Sequence, residues 1–81
     1  MLKDKIQGLL LYRGLMNKDF AKKLNIHQFS LPRKYKTDNF SIQDFLELAE
    51  FTNTELAFVD RNDNDKILCY LTKEDLISKK G

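Results

Sequence analysis

Apolar residues fall three or four apart along the first two thirds of this chain and two apart along much of the rest. Ile6, Leu9 and Leu10, flanked by Leu11, keep the helical period and stop before Gly14, which suits the position after a helix. Asn17 then stands as an N-cap, and Phe20, Ala21 and Leu24 form the inward stripe of a second short helix. Asn25 follows, a residue that tolerates the left-handed backbone of a tight turn, and Ile26 plugs the core beneath it. A third helix is expected between Gln28 and Tyr35. Ser41 and Asp44 make a capping-box-like start to a fourth, whose buried face is marked by Ile42, Phe45, Leu46 and Ala49 and which ends near Phe51.

The period then changes. Leu56 and Phe58 alternate with Ala57 and Val59, and Ile67, Cys69 and Leu71 alternate with Leu68 and Tyr70. Between these runs lies a segment rich in turn formers, Asp60 to Asp65, so a β-hairpin is expected, with Leu56, Phe58, Ile67 and Cys69 covering the open end of the helical core. Thr72 to Asp75 is placed to cap a last short helix. The pattern predicts one domain over residues 1–81, with a helical core over about 4–52, a hairpin over about 54–71 and a short C-terminal helix over about 72–79.

Composition adds limits rather than a function. With 42% hydrophobic and 32% charged residues the chain reads as an ordinary globular protein. No apolar run approaches the roughly 20 residues of a membrane span, and the first residues lack a signal-peptide pattern, so a cytoplasmic location is expected. Cys69, the single cysteine, lies in an apolar run where a buried thiol is expected. Asp60, Asp63 and Asp65 invite a calcium loop, but the mid-loop glycine and terminal glutamate of that motif are missing. One His and one Cys do not make a zinc site, and His27 has no evident nucleophile beside it. Neither catalysis nor a metal or cofactor is expected.

Charge changes the picture more. The net charge is +2, yet residues 1–36 carry nine Lys and Arg against Asp4 and Asp19, a net +7. The remainder is −5. One half is therefore expected to suit a polyanion and the other to keep the molecule soluble.

The order of helices, with Phe20-Ala21, Leu24-Asn25-Ile26 and Leu31, resembles the lambda-repressor-like, Cro/Xre-type helix-turn-helix family. The resemblance spans about residues 5 to 58 and includes the run from Phe45 to Phe51, similar to the family's fourth helix. It implies a mostly α fold, a bundle of four or five short helices with the C-terminal hairpin added. It also implies a sequence-specific regulator that binds double-stranded DNA, of bacterial, phage or mobile-element origin. Separately, the open edge of the expected two-stranded hairpin is a template for pairing with a second copy, so a homodimer is expected, with the charged turn and the final helix as the alternative cover for that edge. The positions carried over for DNA contact are Asn17, His27, Gln28, Phe29, Arg33, Lys34 and Lys36, with Pro32 on the same face.

Gln28 has an amide able to pair with adenine, Arg33 reaches guanine or phosphate, and Phe29 packs on a thymine methyl. Two departures from the pattern stand out. Pro32 falls within the expected third helix, which either runs through it or starts late, with Ser30 as its cap. Lys34 occupies a position that is apolar in the family, with Tyr35 beside it to fill the core. The alternative reading is the same fold repurposed to bind protein through Phe29, Pro32 and Tyr35, as in a phage-encoded inhibitor of a host nucleic-acid enzyme.

Overall fold

The computed structural model describes residues 1–80, with side chains through Leu76. Four helices, α1 Leu2–Tyr12, α2 Asn17–Lys23, α3 Leu31–Thr37 and α4 Ile42–Thr52, precede an antiparallel hairpin of β1 Leu56–Asp60 and β2 Lys66–Leu71. A 3₁₀ turn, Gln28–Ser30, leads into α3, and a 3₁₀ segment, Lys73–Lys80, follows the hairpin. Among the described residues no helix is long and apolar enough to cross a membrane.

The helical spacing becomes a single core. Ile6 and Leu10 of α1, Phe20 and Ala21 of α2, Leu31 and Tyr35 of α3, and Leu48 of α4 are buried together. Phe40, in the α3–α4 connection, packs its ring against Phe20, Tyr35 and Phe45 at centroid distances of 6.4, 5.6 and 5.9 Å. Ala21 is 1% exposed. A longer side chain there would overfill this core, at a cost of about 1–3 kcal/mol. Tyr35 takes the core position, as expected, and Leu31 is fully buried beside it.

The connections are closed by polar residues in left-handed backbone. Gly14 (φ 70°), Asn25 (61°), Asp38 (51°) and Asn53 (56°) each turn the chain after a helix. The start of α4 is a full capping box. The Asp44 N–H donates to Ser41 Oγ at 3.1 Å, and the Ser41 N–H donates to the Asp44 carboxylate at 3.0 Å. Its other end is held by Arg13, whose Nε donates to the Thr52 carbonyl at 2.8 Å. That bond ties the end of α1 to α4 and sets a cation at the negative pole of the helix.

Several expectations need correction. The N-cap of α2 is Met16, not Asn17, and the Asp19 carboxylate accepts the Met16 N–H at 3.3 Å. Ile42 is exposed, whereas Leu48 and Thr52, further along α4, are buried. The last element is 3₁₀ rather than α. Most of all, the hairpin does not close over the helical core. Leu56 is half-buried, but Phe58, Ile67 and Cys69 are exposed, and so are Val59, Leu68 and Tyr70 on the same ribbon. A bulge between Phe58 and Val59 shifts the pairing from Phe58–Cys69 to Val59–Ile67. That added residue increases the ribbon's twist.

The C-terminal segment is anchored by charge instead. Lys73 lies 3.0 Å from Glu47 and 2.8 Å from Glu50, and Lys23 of α2 meets the same two carboxylates. Hydrogen bonds from Lys23 and then Lys73 hold the Glu50 carboxyl down at about 2. The same bonds raise both lysines.

Candidate nucleic-acid interface

The entry into α3 is built by local chemistry. His27 is extended and its Nδ1 accepts the Phe29 N–H at 3.2 Å, which caps the 3₁₀ turn. The two rings lie 5.1 Å apart. Ser30 continues into α3 with helical backbone and no side-chain cap bond. Pro32 falls in the first turn of α3, where the missing N–H costs little. The late-starting helix is therefore the one adopted, and Gln28 and Phe29 belong to the turn before it.

This arrangement thrusts Phe29 outward, 77% exposed, with His27 and Gln28 also at the surface. Gln28, Pro32 and Lys36 share a groove of about 510 Å³ with Asn17 from α2 and with Lys3 and Gln7 from α1. Leu31 and Tyr35 contribute the apolar floor. Arg33, on the adjacent stripe of α3, borders a second hollow with Ser30 and Thr37. Among the described residues neither Arg33 nor Lys36 has an acidic partner.

Lys34 is placed differently from the other expected contacts. Its ammonium lies 3.1 Å from Asp44 and 5.2 Å from the centre of the Phe40 ring, which directs its charge to the start of α4. Asn17 is the first residue of α2, and its Oδ1 accepts a hydrogen bond from the Tyr35 hydroxyl at 2.9 Å. Burial pushes the Tyr35 phenol up to about 12, so it remains a donor throughout the neutral range.

The structure thus brings Asn17, Gln28 and Lys36 together, keeps His27, Phe29 and Arg33 on the neighbouring surface, and turns Lys34 away. The contribution of α1 went unseen in the sequence. Lys3 and Gln7 are four apart, hence on one helix face, and that spacing was the available signal. No family model, no curated protein and no solved structure matches this chain.

Proposed function

We propose that this protein is a helix-turn-helix regulator, of bacterial, phage or mobile-element type, that binds double-stranded DNA by sequence and works as a cytoplasmic homodimer. The observation that carries the reading is the surface of α3 and the turn before it, where exposed Gln28 and Phe29 share one side with Arg33 and Lys36, which have no acidic partner among the described residues. In this reading α2, the Asn25 turn and α3 form the motif, and the 3₁₀ turn with the first turn of α3 enters the major groove. Gln28 reads a base edge, Phe29 meets a thymine methyl, and Arg33 and Lys36 hold phosphates or guanine. Lys34 steadies the fold through Asp44 rather than touching DNA.

Support for pairing comes from the hairpin, whose two strands form a sheet of only two. An open edge with exposed Phe58, Val59, Ile67, Leu68 and Tyr70 is a template for a second copy. A two-fold axis there presents two α3 helices to a palindromic site.

Phe29 also favours a second reading, in which the same surface grips a protein. The two are separated by selecting binders from random duplex DNA and then titrating salt. The DNA reading expects an enriched sequence, with affinity falling by a log–log slope of about 0.9 per phosphate held. Lys36→Ala should flatten that slope by about one unit on every sequence. Absence of binding at low salt, or binding that ignores salt, sinks this function.

A further inference from the structure

The outer face of α1 lacks the polarity that a solvated helix face usually carries. Helical geometry sets Asp4, Gly8, Leu11 and Tyr12 on the side opposite the buried Ile6 and Leu10. Leu11 is 79% exposed and Tyr12 77%, so two large side chains of this helix point outward rather than into the core.

Gly8 is the anomaly on this face. Glycine is the least favourable residue inside a helix after proline, and Gly8 lies within the 11 residues of α1. Its φ is not in the left-handed region, so the backbone does not demand glycine. A Cβ built on it would meet nothing within 4 Å, so nothing in the fold demands glycine either. What the missing side chain does permit is the close approach of another backbone from outside.

The two ends of the face complement each other. Asp4 stands in the first turn, and its only ion-pair partner among the described residues is the exposed amine of Met1, at 3.8 Å. Tyr12 ends the helix, with the Arg13 guanidinium 5.1 Å from the centre of its ring. Asp4 and Tyr12 are equally far from Gly8 along the chain. Two copies of α1 crossing antiparallel at Gly8 therefore set each Asp4 carboxylate opposite the Tyr12 phenol and the Arg13 cation of the other copy. The same crossing lays the alkyl stem of Lys5 along Leu11 and opposes the two helix dipoles. A face that matches itself about its midpoint meets the requirement of a two-fold contact.

We propose that a second copy of this protein docks on the outer face of α1, the two helices crossing antiparallel at Gly8. This contact is separate from the hairpin and does not depend on DNA binding. One face of one short helix is smaller than a stable interface needs, so between free copies it forms only transiently.

Disulfide trapping reads such a contact, because the bond closes only when two Cα atoms come within about 7 Å. The background is Cys69→Ser, which removes the single native cysteine. Under a mild oxidant Gly8→Cys should yield a covalent dimer faster than Asn62→Cys, an exposed control in the hairpin turn. Asp4→Cys mixed with Tyr12→Cys should link, while neither links to itself. Adding Gly8→Leu to that mixture should abolish the link without lowering the melting temperature, since leucine is the better helix former. Every link should persist with Phe58→Glu, which breaks only the hairpin pairing.

A Gly8→Cys link no faster than the control overturns the proposal, and is the result if a different protein covers this face. Self-linking of Asp4→Cys or of Tyr12→Cys overturns the antiparallel crossing. A link that survives Gly8→Leu overturns the part played by the glycine. Loss of all links with Phe58→Glu assigns them to the hairpin and overturns the α1 contact while leaving the hairpin dimer standing.

Discussion

Pro32 stands where a proline does least harm, since the first amides of a helix have no partner within it. Pro32→Ala should therefore move stability by less than about 1 kcal/mol, most of it through the freedom of the unfolded chain. A gain near the ~3 kcal/mol of a helix-interior proline, measured by thermal melting, would mean that α3 runs back through Gln28. Gln28→Ala, by contrast, should leave melting unchanged and cost about 1–3 kcal/mol on the selected site. Equal losses on selected and random duplexes would show that Gln28 reads no base. These two residues also mark what a sequence reveals at this scale. The turn at Asn25 and the cap at Ser41 were legible because each depends on neighbours within three residues. Asn17 looked like a cap because its true partner, the Tyr35 hydroxyl, lies 18 positions away. Lys34 looked free for the same reason, since Asp44 belongs to the next helix.

At the scale of elements, the helices were legible and the hairpin was legible only in part. Alternation tells which side chains share a strand face, and the strands fall where it places them. It does not tell whether anything covers that face, so Phe58 and Cys69 were expected in a core they do not join. The uncovered ribbon leads to an oligomerisation prediction. Phe58→Glu should shift the protein from dimer to monomer in sedimentation equilibrium while the helical circular dichroism persists. A protein already monomeric at high concentration would remove the hairpin from the dimer reading.

The C-terminal segment is tied differently, and its hold depends on acid. Glu50 has a carboxyl lowered from 4.5 to about 2 by the Lys23 and Lys73 hydrogen bonds. A lowered carboxyl contributes fully above its unfolded value and loses that contribution as pH falls toward its folded one. The tether of Lys73 to α4 should thus be intact above pH 4.5 and weaken progressively down to about 2. Side-chain carboxyl shifts followed by NMR check this, and an ordinary Glu50 midpoint near 4.5 would contradict it.

For the whole molecule, the division of charge becomes a division of labour. The chain through Lys36, which holds α1, α2 and most of α3, carries +7, and the α4 and hairpin half carries −5. In the DNA-binding reading a polyanion would be drawn to the first and repelled by the second, so that encounters begin already oriented. Turns matter at this scale too, because six described positions have positive φ and only Gly14 among them is glycine. Asn25, Asp38, Asn53, Asn64 and Asp65 adopt a backbone that costs an L-residue roughly 1–2 kcal/mol, though Asn and Asp bear it better than most. For a small domain with a stability of about 5–15 kcal/mol, that is a large share. Asn53→Gly should therefore raise the melting temperature, by about 4–8 °C for each kcal/mol recovered, and Asn25→Gly should act likewise. The consequence reaches beyond folding to lifetime. A protease cuts the transiently opened chain in proportion to how often it opens, so a fold closed by asparagines is turned over faster than one closed by glycines. Half-lives in a protease digest should lengthen in the order unaltered chain, single glycine variant, double variant.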